Sequence, residues 1–191
     1  MLQDLSTHSL RLLQELPASY LRQKLPDKKQ RIKEFRKDPE IEARSEEILK
    51  EMHIYAQCAS SLRFFLEAAW PVVEPGRRFI GNWHIDAICR HLEAVTRGEI
   101  LRLVINVPPR SSKSTIVSVM WPVWVWLQDP TRQFIAVSNS GDLAVRDSLA
   151  SRRLIESNWF QKGWAEKFLF TPDQNQKTRY ENNKRGRRVS Y

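Results

Sequence analysis

An α/β fold, with a parallel sheet flanked by helices, is the class this sequence predicts, and three observations carry that expectation. Leu101–Val107 and Gln133–Ser138 are short apolar runs rich in β-branched residues, the composition of strands buried on both faces. Each run is followed by a segment of helical character, Thr115–Leu127 and Leu143–Ile155. Strand, loop, helix, strand, helix is the chain grammar of a parallel sheet with crossover helices.

The elements follow in order. Residues 1–60 are polar and charged, and predict a helical N-terminal extension. Leu5, Leu12, Leu13 and Leu16 fall at helical spacing until Pro17 ends the pattern, and two more charged segments run Asp27–Lys37 and Pro39–Met52. Near Ser61 the composition turns apolar: Leu62, Phe64, Phe65, Leu66, Ala69 and Trp70 lead to Pro71 and to the breaker Pro75-Gly76. Ile85, Ile88, Leu92 and Val95 mark an amphipathic helix, with Gly98 where a C-cap belongs. Pro108-Pro109 ends the first strand, and Pro122 is expected to break or kink the helix that follows. Asp142 is the candidate N-cap of the next helix, with Leu143, Leu149 and Ile155 as its core residues. Beyond Trp159 the pattern weakens, leaving Phe168–Phe170 and Val189–Tyr191 as short strand candidates.

The 191 residues carry 31 Lys and Arg against 22 Asp and Glu, a net charge of +9. Such a balance favours an anionic partner, nucleotide or nucleic acid, although it also describes a solvated basic surface. The excess is concentrated: residues 144–191 hold 11 basic against 5 acidic side chains, notably Lys184-Arg185-Gly186-Arg187-Arg188, whereas residues 1–60 are nearly balanced. That basic run reads as a solvated turn or as a sequence-indifferent DNA contact. Cys58 and Cys89 form no C-x-x-C pair, which argues against zinc and for two buried free thiols. The N-terminus lacks a signal-peptide layout, and the run Ile116–Leu127 is too short to span a bilayer. A soluble, cytoplasmic protein is therefore expected.

The chemistry gathers in residues 107–115, Val-Pro-Pro-Arg-Ser-Ser-Lys-Ser-Thr. A phosphate-binding loop needs a buried strand before it, a tight turn with inward N–H groups, a helix opening behind it, and a Lys next to Ser or Thr. All four occur in order. Lys113 would neutralise phosphate charge, Ser114 would ligate Mg²⁺, and the backbone of Pro109, Arg110, Ser111, Ser112 and Thr115 would complete the cradle. Thr115 itself packs in the helix on this reading. The common G-x-x-x-x-G-K-[ST] pattern is broken, with Val107 and Ser112 at the two Gly positions, so Ser112 must adopt a backbone geometry that a Cβ penalises. Arg110 is placed to touch the γ-phosphate or to stabilise charge in transfer; a solvent-facing Arg is the competing reading. Trp83-His84, ahead of the first strand, offers an aromatic face and a hydrogen-bonding ring for an adenine, or else core packing. Trp121, Trp124 and Trp126 read as core.

From about Ser61 to Tyr191 the chain resembles the large terminase subunit of tailed phages and prophages. The resemblance rests on an ordered set of blocks: Phe64-Phe65-Leu66 with Trp70-Pro71, Trp83-His84-Ile85 with His91-Leu92-Glu93, and Gly98-Glu99-Ile100. It continues with Ile105–Arg110 leading into Lys113-Ser114, then Trp121-Pro122, Ser138-Asn139-Ser140, Arg146-Asp147-Ser148, Arg153–Ser157 and Asn182-Asn183. It implies a P-loop NTPase of the helicase-like or RecA-like kind over residues 61–191, binding ATP and Mg²⁺ and driving DNA packaging. Lys113 and Arg110 would be the catalytic cations, Ser114 the metal ligand, and Trp83 and His84 the adenine contacts. The implied partners are double-stranded DNA, a portal protein and the small terminase subunit, with the motor forming a ring on the portal in the host cytoplasm. The family also has a second acidic strand downstream of the Asn182 region and a ribonuclease H-like nuclease half; neither precedes Tyr191. The expectation is an ATP-binding portion that by itself turns over little. A non-catalytic nucleotide- or DNA-binding remnant of a prophage, and an unrelated helicase-like P-loop ATPase, are the alternatives.

Overall fold

The computed structural model describes the backbone of residues 39–191 and, outside 39–42 and 172–175, their side chains. The segments predicted within residues 1–38 lie outside the described residues. Contacts divide the chain into Met1–Ile54 and Tyr55–Tyr191. Helix α1, Pro39–Ser60, supplies the described part of the first unit and runs on into the second.

In the second unit α2 spans Leu62–Val73 and α3 spans Trp83–Thr96. Pro71 does not end α2: it sits in the last turn, and the helix runs two residues further. Asn82 caps α3 by accepting a hydrogen bond from the Trp83 N–H, and Gly98 takes φ +81 just past its end, the left-handed stop expected of it. The segment Thr115–Met120 is a π-helical turn that hands over to α4, Trp121–Gln128. Pro122 lies in the first turn of α4 directly after the π-helical turn, so the register changes ahead of the proline and the helix is not broken at it. Strand β1 is Gln133–Ala136, α5 is Gly141–Glu156 and α6 is Asn158–Trp164. The N-cap residue of α5 is Ser140, not Asp142, which instead places its carboxylate in the first turn.

Three strands close the chain: β2 Phe170–Asn175, β3 Arg179–Asn182 and β4 Arg187–Ser190. The sheet order is β1-β4-β3-β2. Only β1 and β4 pair in parallel; β2 with β3 and β3 with β4 are antiparallel. The described sheet is thus mixed, not wholly parallel. The predicted strand Leu101–Val107 forms no strand and pairs with none among the described residues. Leu103, Ile105 and Val107 turn inward against the core, whereas Leu101 and Val104 are exposed, Val104 at 82%. The two-residue alternation of a strand is present, but ladder partners are non-local and the run itself cannot supply them.

The core lies between α2, α3, the π-helical turn, α4 and α5. Trp124 is buried and donates from Nε1 to the Cys58 carbonyl at 3.0 Å; Trp126 is buried and donates to the Arg132 carbonyl at 2.8 Å. Trp126 also meets Phe168 and Tyr180 edge to face. Trp121 is half-buried, its Nε1 bonded to Thr96 Oγ1 at 2.9 Å. These three tryptophans are packing residues with satisfied N–H groups. Cys58 and Cys89 are buried and free. No helix among the described residues is long and apolar enough to cross a membrane.

Candidate nucleotide site

Residues 107–115 leave the inward face of the segment Leu101–Val107 and turn sharply. Arg110 has φ +66 and Ser112 φ +61, both in the left-handed region that glycine normally fills. Ser112 therefore adopts the backbone that the missing glycine would have supplied. Ser111 Oγ donates to the Pro108 carbonyl at 2.8 Å and braces the turn. Helical geometry begins at Lys113 and Ser114, and the Ile116 N–H donates to the Ser112 carbonyl at 3.0 Å. The turn thus delivers the free N–H groups of a helix start to one place. Lys113 and Ser114 are exposed there, and Thr115 is half-buried.

The loop lines a cavity of about 1200 Å³, large enough for a nucleotide. The connection between α2 and α3 lines it as well. Trp70 Nε1 fixes that connection by donating to the Arg77 carbonyl at 2.9 Å, and Trp70 packs edge to face on Phe79. His84 lines the cavity, beside Phe79, Ile80 and Asn82. Trp83 does not: it is 78% exposed at the start of α3, stands edge-on to His84 and is absent from the lining. Of the two residues expected to receive an adenine, the fold brings only His84 to the loop.

The electrostatics of the cavity are lopsided. Arg77, Arg78, Arg110, Lys113, Arg146 and Arg153 line it, against the carboxylates Glu74 and Asp147, a formal excess of four positive charges. Arg146 is held by Asp147, donating from Nε and Nη2 to Oδ1 at 2.9 and 2.7 Å. The other five cations form no ion pair among the described residues. A concave site with that excess and a helix N-terminus attracts a polyanion. Sequence reasoning missed Arg77, Arg78, Arg146 and Arg153, because their convergence is a product of the fold. Only the helical spacing of Arg146, Ala150 and Arg153 on α5 hinted that these three share a face.

The basic run at the end of the chain separates into different environments. Lys184 and Arg185 are exposed at the β3–β4 turn, and Arg187 reaches Gln133 Oε1 at 3.2 Å. Arg188 is 1% exposed, donating to Ser151 Oγ at 2.8 Å and Ser190 Oγ at 3.3 Å. The expectation that Arg188 belongs to a DNA-facing patch is thereby corrected: the two-residue period of β4 turns it inward. Asn182 and Asn183 are hairpin organisers. Asn182 Oδ1 accepts from the Lys184 and Gly186 N–H groups, and Asn183 Oδ1 from the Leu169 N–H.

Among the described residues no group of three His, Cys, Asp or Glu side chains is arranged to hold a metal ion. Comparisons with family models, with curated proteins and with solved structures return no match.

Proposed function

We propose that this chain is a nucleotide-binding portion of a DNA-packaging motor of the large-terminase kind, taking ATP with Mg²⁺ at the loop 107–115. One observation carries the reading: a strand-like segment, a left-handed turn at Arg110 and Ser112, and a helix opening at Lys113 stand over a cavity with four excess positive charges. A triphosphate matches that charge and the free N–H groups. Lys113 neutralises the β- and γ-phosphates, the Ser114 hydroxyl is available to a phosphate-bound Mg²⁺, and Arg110 stands inside the loop against the terminal phosphate. His84 and the Phe79–Asn82 stretch form the end that takes the base. The P-loop fold class, the DNA track, the portal and small-subunit partners and the cytoplasmic setting come with the family resemblance and belong to the same proposal.

The test is ligand stabilisation. A ligand that binds only the folded state stabilises it by about 2.7 kcal/mol at a hundredfold excess over Kd. Millimolar ATP–Mg²⁺ should raise the melting temperature, and Lys113→Ala should remove the effect while leaving the ligand-free melting temperature unchanged. A folded sample with no shift at any ATP concentration would refute the site.

Binding without turnover is favoured for these residues by the make-up of the cavity. In-line attack requires an oriented water and a completed metal shell, and the two cavity carboxylates are Glu74 and Asp147, the second already bonded to Arg146. Steady-state phosphate release from this chain, with and without double-stranded DNA, should stay near background. Robust release that Lys113→Ala abolishes would show that a carboxylate of this chain completes the centre.

A further inference from the structure

Helix α5 turns Arg146, Ala150 and Arg153 toward the cavity, one residue per turn along one face. The two arginines differ in state. Arg146 is paired with Asp147, donating two hydrogen bonds to its Oδ1. Arg153 has no ion-pair or hydrogen-bond partner among the described residues, although a carboxylate lies three positions on: Glu156 is taken by Arg152 at 3.5 Å. The helix itself is held in place. Ser151 Oγ donates to the Val119 carbonyl at 3.0 Å, tying α5 to the π-helical turn that follows the phosphate loop. Arg153 is therefore a free guanidinium on a fixed wall, facing the same space as Lys113.

We propose that Arg153 is a phosphate-contacting residue of this nucleotide site, a second cation that α5 supplies to the cavity the loop's own lysine lines. The inference rests on the nucleotide reading and deepens it. A guanidinium presents several donors in a planar fork matched to phosphate oxygens. The competing account is that Arg153, in the last turn of α5, only offsets the helix dipole. That account predicts an effect on stability and none on ligand affinity.

Isothermal titration of the full chain with ATP–Mg²⁺, ADP–Mg²⁺ and adenosine separates these accounts. Four proteins are compared: the parent, Lys113→Ala, Arg153→Gln, and Lys162→Gln as a loss of one positive charge outside the cavity. A lost charge-assisted contact should lower affinity by roughly tenfold to a hundredfold. Arg153→Gln should show that loss for the phosphorylated ligands, keep it at 0.5 M salt, and leave adenosine binding and the ligand-free melting temperature as in the parent. Lys162→Gln should match the parent throughout. If the parent binds ATP, Lys113→Ala does not, and Arg153→Gln binds as the parent does, the role of Arg153 is overturned and the nucleotide site stands. A loss in Arg153→Gln that vanishes at 0.5 M salt, or that Lys162→Gln shares, would also overturn it, as long-range attraction. Should Arg153→Gln melt low, Arg153→Lys keeps the dipole partner; parent-like affinity there overturns the bidentate contact. A parent that binds neither ATP nor ADP removes the nucleotide reading itself.

Discussion

Ser112→Gly should stabilise the ligand-free protein, an unusual direction for a substitution in a candidate binding loop. Ser112 sits at φ +61, and its side chain has no hydrogen-bond partner among the described residues. A residue with a Cβ in that region carries roughly 1–2 kcal/mol of backbone strain that glycine does not. Glycine adds freedom to the unfolded chain, which costs about 0.4–1 kcal/mol. The difference is a net gain of roughly 0.5–1 kcal/mol, or about 1–4 °C in melting temperature. Ser111→Gly is the control with the opposite sign. Ser111 is not in the left-handed region and its hydroxyl braces the turn through Pro108, so the unfolded-state cost is added to a lost hydrogen bond. Reversible urea unfolding followed by the fluorescence of the seven tryptophans reads both variants. Two shifts of the same sign, or a destabilised Ser112→Gly, would refute the reasoning, because the loop would then not hold Ser112 left-handed.

Other substitutions probe the frame around the site. Gly186→Ala should be strongly destabilising, by about 1–3 kcal/mol or more in thermal unfolding, because a Cβ there would run into the Pro130 carbonyl and Asn182. Gly163→Ala would drive a Cβ into the Tyr55 ring, which packs against Trp159 and Trp164 and is bonded to the Trp159 carbonyl, and should be destabilising as well. Burial pushes the Cys58 thiol up to about 11 and the Cys89 thiol to about 12, the latter partly offset by Arg63. Their folded pKa values lie above the unfolded value, so the thiols' contribution to stability is constant below pH 9 and is lost as pH rises from there toward about 11 for Cys58 and about 12 for Cys89. Alkylation at pH 8 should accordingly be slow when folded and fast in urea; rapid labelling of the native chain would contradict the burial. Val104→Thr and Ile135→Thr, at side chains 82% and 76% exposed, should raise soluble yield without lowering the melting temperature, and an unchanged yield would acquit this apolar surface of driving aggregation.

Local patterns were the legible part of this chain. The helical spacing of Ile85, Ile88, Leu92 and Val95 led to α3, where the first three are buried and Val95 is half-buried. Gly98 marked the end of α3, and the run Gln133–Ser138 marked β1. The left-handed backbone of Ser112 agrees with the expectation that this position takes a geometry a Cβ penalises. Features that depend on distant partners were not. Strand β3 escaped notice because two of its four residues, Arg179 and Glu181, are charged and Asn182 faces inward, bonded to Pro130. Arg188 read as part of a surface run, yet β4 carries it into the core. The π-helical turn leaves no compositional mark: its residues Thr115–Met120 would suit an α-helix equally well.

The burial of Arg188 bears on the cavity through α5. That helix has two working faces. One presents Arg146, Ala150 and Arg153 to the cavity; the other presents Ser148 and Ser151 to the interior, both fully buried. Ser151 is a junction: its hydroxyl accepts from Arg188 and lies at hydrogen-bond distance from the Val119 carbonyl. One side chain thereby links β4, α5 and the helix that begins at Lys113. A buried guanidinium is tolerable only while its donors are bonded, so removal of the Ser151 hydroxyl strips Arg188 of its 2.8 Å hydrogen bond and takes away the polar tie between α5 and the π-helical turn, leaving their apolar packing. Cations that repel one another in an empty cavity need a wall rigid enough to hold them there, and a polyanion gains most from charges that do not have to be reorganised on binding. The polar seam through Ser151 ties β4 and α5 to the π-helical turn beneath the wall that carries Arg146 and Arg153, and Arg188 is the buried charge that completes it.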